Sequence, residues 1–360
     1  MILKKFLKTC FNKVIQSFFF VIYGKIKVQN LDLKKAKIIK IKYINKTNVK
    51  KFNYKVTQIN NGRAFTNYVE NLAVISNNTL VKNFSFQQIN GYLNQDKNEV
   101  LLSGTPKFKK KFLGKTLILT QGASGHFNYA HWLLDIVPKL IIASQFCKLS
   151  KINFFYFSKL NNFQIETLKL MKINPAKFID SNKFRHIEAE ELMAVTHPNY
   201  FKKTFFFAHS NLPTWIIYSL KKIFIKKKIK KSFTKKIFID RSDSLQKHCK
   251  LINNNEIINF LKKKGFKILQ SSKISLYEQI SIFKNCKEVI APHGAGLANL
   301  VFCKSGTKVS EIIPKNIKNN MYKRISKINK LNHRFVYLKN INNDKNGDMF
   351  LNLKELNKLL

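Results

Sequence analysis

Glu288-Val289-Ile290-Ala291-Pro292-His293-Gly294-Ala295-Gly296-Leu297-Ala298-Asn299-Leu300 runs an apolar strand into a glycine turn that opens a helix. Such a turn is a place for a phosphate. Gly294 and Gly296 allow positive φ and let the backbone approach a ligand with no Cβ in the way, while the first amides of the helix, from Ala295 on, face the anion along the helix dipole. His293 in this turn can donate a hydrogen bond or exchange a proton. Turns of this kind also serve plain packing, so the surrounding sequence decides what this one is for.

The flanks alternate strands with helices. Ile237-Phe238-Ile239-Asp240 reads as a buried strand, and Asn253-x-x-Glu256 as a capping box opening a helix over Ile257 to Lys264 that Gly265 ends. Phe266 to Leu269 gives the next strand, Ser275-x-x-Glu278 opens a second helix over Leu276 to Asn285, and Val309 to Ile313 follows the glycine turn as a further strand. Strand-helix alternation at this spacing makes an α/β fold with a parallel sheet and right-handed crossovers. Ligands of such sheets bind at the carboxyl ends of the strands, where Arg241, Ser242, His293 and Glu311 fall.

A second element lies upstream, Asn128-Tyr129-Ala130-His131-Trp132-Leu133-Leu134-Asp135-Ile136-Val137-Pro138-Lys139-Leu140. Together with Phe238-Ile239-Asp240-Arg241, the Pro292-His293-Gly294-Ala295-Gly296-Leu297 turn, Gly306-Thr307 and Glu311-Ile312, it resembles glycosyltransferase family 61, over roughly residues 115 to 315 with a poorly matching middle. The resemblance implies a GT-B architecture: two Rossmann-like parallel-sheet halves facing a central cleft, the second holding a nucleotide sugar. It also implies inversion at the anomeric carbon, with no metal and no cofactor beyond that co-substrate. On this basis the chain divides into a basic N-terminal segment (1–110) packed on the acceptor half, the acceptor half (111–228), the nucleotide-sugar half (229–320) and a helical tail (321–360).

The residues agree with a metal-free donor site, because no Asp-x-Asp stands between the two motifs or in the C-terminal half to hold a cation on a diphosphate. Arg241 is one of five arginines among 66 basic residues, and its guanidinium offers a fork of donors matched to phosphate oxygens. Either it serves the diphosphate, with Ser242 beside it, or it pairs at the surface with Asp240 or Asp243. His131 and Asp135 are four residues apart, on one face of a helix expected from Ala130 to about Phe146. An inverting transfer needs one base for the acceptor hydroxyl, and either member of this pair serves while the other orients it; the bland alternative is a buried pair that stitches helices together. Glu311 either accepts from the donor's ribose hydroxyls or salt-bridges a lysine, and Asn299 either caps backbone or touches the donor. Gly122, Gly125 and His126 occupy a loop ahead of the His131 helix, lining the site or simply connecting to it.

Composition sets outer limits. The 360 residues, 45% hydrophobic with 32 phenylalanines, are enough for two domains with full cores. The formal charge of +47 is spread through every segment, as A+T-rich coding would produce, so it reads as compositional drift rather than a specific nucleic-acid face. It still attracts anionic lipid and acidic polysaccharide. The rival function class is a non-catalytic basic module binding nucleic acid or anionic membrane, which places no demand on His131, Asp135 or Arg241. The densest cationic run, Lys221 to Lys236, reads as a linker or lateral surface. Residues 1 to 24 mix lysines with apolar residues, and the uninterrupted apolar run Phe18 to Tyr23 falls far short of the ~20 residues of a spanning helix. It reads as a basic amphipathic helix in the membrane interface or as a first core helix. A cytoplasmic enzyme, peripheral on the inner membrane face, with a glycan or lipid-linked glycan of capsular or lipopolysaccharide type as acceptor, is the expected setting. Five cysteines at wide spacings, Cys10, Cys147, Cys249, Cys286 and Cys303, suggest neither a disulfide framework nor a zinc site.

Overall fold

The computed structural model describes residues 2–28, 37–45, 48–67, 71–89, 92–120, 126–199, 210–225, 234–244, 248–317, 320–341 and 347–360, with side chains excepted at 2–5, 42–45, 48–52 and 95. The expected loop glycines Gly122 and Gly125 and the lysines of 226–231 lie outside these residues. The chain forms two compact units, Met1–Phe205 and Phe206–Leu360. The division falls there rather than at 228/229, because the helix Thr214–Phe224 buries Trp215, Ile216 and Phe224 within the second unit. Lys221 Nζ donates to the carbonyl of Cys303 at 2.9 Å, and the Phe224 ring meets Phe302 edge-on at 6.0 Å.

Unit 1 opens with α1 (Ile2–Tyr23) and is built on an 11-stranded sheet. Its strands are β1 (Lys27–Val28), β2 (Lys37–Asn45), β3 (Asn48–Phe65), β4 (Asn71–Ser76), β5 (Thr79–Leu80), β6 (Phe86–Ile89), β7 (Tyr92–Leu93), β8 (Lys110–Ile118), β9 (Phe154–Phe157), β10 (Phe178–Asp180) and β11 (His186–Val195). The strands β11, β8, β9 and β10 run parallel in that spatial order, with helices crossing between them. On the other side of β11 the pairing turns antiparallel: β3 lies against β11 from Phe65↔His186 to Val56↔Val195, and β2 and β4 pair with β3. The segment 1–110, expected as an addition packed on this half, therefore supplies strands of the same sheet. Apolar side chains alternate between two buried clusters, one with Val74, Ile118, Tyr156, Ile187 and Leu192 and another with Phe65, Ala73, Ile75 and Leu80.

Unit 2 is a five-stranded, wholly parallel sheet in the order β13-β12-β14-β15-β16, made of β12 (Lys236–Ile239), β13 (Lys267–Leu269), β14 (Glu288–Pro292), β15 (Lys308–Pro314) and β16 (Asn332–Leu338). Continuous apolar runs such as Ile237-Phe238-Ile239 suit strands covered on both faces. Phe238, Ile290 and Ile312 from three strands pack with Ile257, Leu261 and Met349. The sequence predicts β12 to β15 and the helices Asn254–Lys263 and Leu276–Asn285. It does not predict β16, which lies within the tail expected to be helical; that tail also carries helices at Met321–Asn329 and Leu353–Asn357.

One of the two expected helix caps is revised. The Asn253 side chain does not cap its helix: its amide donates to Glu256 at 2.9 Å and to the Leu351 carbonyl at 2.9 Å, and its oxygen accepts from Leu351 N, tying the helix to the C-terminal segment. Ser275 does cap, accepting from Glu278 N at 3.2 Å. The chain order of the unit 2 strands is 2-1-3-4-5, which reverses between β12 and β14. That reversal is the topological switch point, where parallel sheets leave a crevice at the strands' carboxyl ends.

Candidate active site

Arg241-Ser242 follows β12 and His293-Gly294 follows β14, so the switch point carries both. Gly294 has φ 164°, an extended conformation open to any residue, and neither it nor Gly296 takes the left-handed backbone expected of them. What requires glycine at 294 is a neighbour: a Cβ there would stand 1.0 Å from Nη1 of Arg241 and 2.2 Å from its Cζ. The guanidinium occupies the space that a side chain at 294 would take. At Gly296 a Cβ would press on Ile239 Cγ2 at 3.2 Å. The eight-residue 3₁₀ helix Ala295–Phe302 begins here, and half-buried Ala295 and Gly296 present its first amides, which have no acceptor within the helix.

Arg241 pairs with neither Asp240 nor Asp243 among the described residues. Its Nη2 donates to the His248 carbonyl at 3.2 Å and to Ser244 Oγ at 3.4 Å, and its buried Nε has no acceptor. Asp240 is instead filled by Ser242 N and Oγ, Asn254 and Gln270 at 2.7–3.0 Å. Burial works to raise the Asp240 carboxyl, but these four donors outweigh it and hold it below its ordinary value. Ser242 is thereby committed to Asp240 and Gln270 rather than open to a ligand.

His293 and Glu311 form a buried pair, Nδ1 to Oε1 2.6 Å, and His333 Nε2 from β16 stands 3.1 Å from the other oxygen. Ser326 Oγ, 2.7 Å from His333 Nδ1, fixes the second ring. Burial alone would raise the Glu311 carboxyl; the His293 hydrogen bond, the close approach of His333 and the charge of both rings bring it below its ordinary value. Glu311 is 1% exposed and faces two histidines rather than a surface lysine or open solvent. Tyr322 packs on the His293 ring at 5.2 Å, and burial first, then Glu311, raises its hydroxyl. The His248 imidazole is lowered by burial and by the charges of Arg241 and His293. Two imidazoles thus face one carboxylate, with Arg241 and His248 nearby, a local excess of cationic or potentially cationic groups suited to an anion. Asn299 is not part of this surface: it is fully buried, and its amide donates to Gln279 Oε1 at 2.9 Å, fastening its helix to Leu276–Asn285.

In unit 1 the second motif forms α2 (Tyr129–His131), a π-helical stretch Trp132–Ile136 and α3 (Val137–Phe146). Asn128 caps it, accepting from Ala130 N at 3.0 Å and His131 N at 3.3 Å. Pro138 lacks the N–H that an α-helix would give to Leu134, and the wider turn before it accommodates that loss. Trp132, fully buried, donates Nε1–H to Thr167 Oγ1 at 3.1 Å, which anchors one face. On another face His131 Nδ1 lies 2.7 Å from Asp135 Oδ2, and Asp135 Oδ1 accepts from Asn199 Nδ2 at 2.7 Å. Asp135 is fully buried whereas the His131 side chain keeps 21% of its surface. One turn further, burial drives the Lys139 ammonium down to about 7, with the Asp135 charge pulling it back up. His126 stands before the helix with its carbonyl held by Asn161 and Gln164, and burial lowers its imidazole. Asn199 in unit 1 and His248, Tyr322 and His333 in unit 2 carry no spacing signal in the sequence; folding within each unit brings them to their partners.

The family profile described as Glycosyltransferase 61 matches residues 129–310, which is half of the chain and holds the glycine turn and the upstream element from Tyr129 on. The chain belongs to glycosyltransferase family 61. Membership implies a nucleotide-sugar donor and a glycan acceptor. A comparison with curated proteins finds no match. Among the described residues no group of three or more histidines, cysteines, aspartates or glutamates is arranged to hold a metal ion.

Proposed function

We propose that this family member is an inverting, metal-independent glycosyltransferase of GT-B build that moves a hexosyl or pentosyl group from a nucleotide sugar to a hydroxyl of a surface glycan. In this reading unit 2 is the donor half and unit 1 the acceptor half. The observation that carries it is the Arg241 guanidinium seated on Gly294 at the switch point, beside helix amides and with Nε lacking an acceptor. Those donors are what a diphosphate needs where no carboxylate pair brings a cation.

The chemistry then follows from charge and exposure. Asp135 has both oxygens engaged and no exposed surface, so it orients; His131, held through Nδ1 and partly exposed, is the base. The acceptor oxygen forms its bond to the anomeric carbon as the bond to the diphosphate oxygen breaks. The hydroxyl proton passes to His131, and the electron pair leaves on the diphosphate, which Arg241 and the helix amides stabilise. Attack opposite the leaving group inverts the centre. His293, locked by Glu311, supplies a further fixed donor at the same turn. The +47 charge suits an acidic or membrane-borne acceptor, consistent with a capsular or lipopolysaccharide-type glycan assembled at the cytoplasmic face of a bacterial membrane.

Thermal stabilisation by a panel of UDP, GDP, CMP and dTDP sugars in EDTA, at moderate and at high salt, tests the donor site. A ligand of the native state raises stability by mass action. One nucleotide is expected to stabilise the protein at both salt concentrations, and Arg241→Ala to abolish the effect. No stabilisation by any nucleotide, together with salt-sensitive nucleic-acid binding, would replace the proposal with a basic binding module.

A further inference from the structure

Among the described residues the last turns of α1 carry its packing on unit 1. Phe19 is buried against the Phe108 ring at 5.1 Å, Phe20 sits where a Cβ on Gly104 would approach within 2.7 Å, and Tyr23 accepts from Lys109 N at 3.0 Å. Tyr23 also meets the buried His186 ring edge-on at 4.9 Å. Gly24, at φ 72°, ends the helix with its N–H on the Phe20 carbonyl at 2.9 Å.

The rest of the helix shows an apolar stripe outward. Leu7, Phe11, Val14, Phe18 and Ile22 recur at helical spacing, and all five are exposed, Phe11 at 65% and Val14 at 68%. The stripe runs about 22 Å along the helix axis, and Phe108, 75% exposed and touching Phe18, widens its inner end. Exposed lysines accompany it at Lys8, Lys13, Lys25 and Lys27, and no aspartate or glutamate occurs before Asp32.

We infer that α1 is an in-plane anchor whose Leu7-Phe11-Val14-Phe18-Ile22 stripe inserts into the headgroup boundary of an anionic lipid surface, with the neighbouring lysines on the phosphates. An apolar stripe of this length in water is costly unless covered. The charge selects the cover. A second copy would bring the same lysines together, and a nucleic acid would meet the lysines but leave the phenylalanines wet. A lipid surface receives both, since lysine stems lie along the apolar boundary while their ammonium groups stay among headgroups. Among the described residues no helix is long and apolar enough to cross a membrane, so the stripe lies in the interface rather than through it. The inference stands or falls independently of the donor chemistry.

Co-sedimentation of the full chain with vesicles of phosphatidylcholine containing about 30% phosphatidylglycerol, against phosphatidylcholine alone, tests it. The wild type is expected to pellet with the anionic vesicles. The triple variant Leu7→Ser, Phe11→Ser, Val14→Ser, at exposed positions and so with an unchanged melting temperature, is expected to lose binding by about tenfold or more. Trp132 and Trp215 are both buried, so Phe11→Trp adds a reporter whose emission should shift to the blue on vesicles. Undiminished pelleting of the triple variant, an unshifted Phe11→Trp emission, or binding to nucleic acid without binding to vesicles would each overturn it.

Discussion

Two histidine-carboxylate pairs of almost the same length sit in the two units, and their surroundings give them different work. His131–Asp135 spans 2.7 Å on a helix, and its carboxylate's remaining oxygen is filled by a neutral amide, Asn199. His293–Glu311 spans 2.6 Å between adjacent parallel strands, and its remaining oxygen faces a second histidine, His333. The first pair leaves its imidazole one fifth exposed; in the second, the His293 side chain keeps 7% and Glu311 1%. An aligned, reachable imidazole can exchange a proton with a substrate. A buried imidazole held between a carboxylate and a tyrosine ring is fixed in place and offers one set orientation. In the proposed mechanism the same two side-chain types make a base in one place and a scaffold in the other, with exposure and the third partner as the difference between them.

The comparison can be broken at its strongest point first. Asp135→Asn keeps the shape but offers an amide donor to His131 Nδ1, which then accepts, so the proton sits on the other nitrogen and the base is lost. The expected loss in kcat is about a hundredfold to ten-thousandfold with donor affinity retained, and an unchanged kcat would place the base elsewhere.

Glu311→Gln should act on stability before chemistry, because it leaves two histidines around a neutral group in a buried site. Denaturation is expected to show a loss of about 3–5 kcal/mol. The Glu311 carboxyl lies below its ordinary 4.5 in the fold, so its stabilisation is complete above that pH and fades as pH falls through the lower, folded value. The variant should therefore lack this part of the wild type's acid sensitivity. A variant as stable as the wild type with only kcat reduced would make the second pair catalytic rather than structural.

Gly294→Ala separates the wall from its arginine. Alanine tolerates φ 164°, and the atom it strikes is the end of a flexible side chain, so the fold should hold while the guanidinium is displaced. Donor affinity measured by calorimetry should fall about tenfold to a hundredfold. Combined with Arg241→Ala, the two effects should not add. The smallest effect is expected at Asn199→Ala, which frees one oxygen of Asp135: kcat should fall by about threefold to tenfold. A loss as large as that of Asp135→Asn would give Asn199 a direct role.

The unit 2 fold was legible because its strands are short, apolar and separated by helices with caps and a terminal glycine. The unit 1 sheet was not. Its central β3 runs Asn48–Phe65, where lysine and asparagine blur the alternation that marks a half-buried strand and Gly62 interrupts it. Arg241, His131, Asp135, Glu311 and the glycine turn were visible as motifs, but their partners were not. His333 meets Glu311 only because β16 lies parallel beside β15, a register no local spacing encodes. For Gly294 the sequence offers backbone freedom and close approach to a ligand as reasons; the structure adds one it does not show, the side chain of a residue 53 positions earlier.

The measurement that bears most directly on the central claim is kcat and donor Kd, in EDTA, for His131→Ala and Arg241→Ala side by side. The account predicts opposite splits: His131→Ala loses turnover and binds donor like the wild type, and Arg241→Ala loses donor affinity. Turnover by His131→Ala at the wild-type rate, or wild-type donor binding by Arg241→Ala, would contradict it.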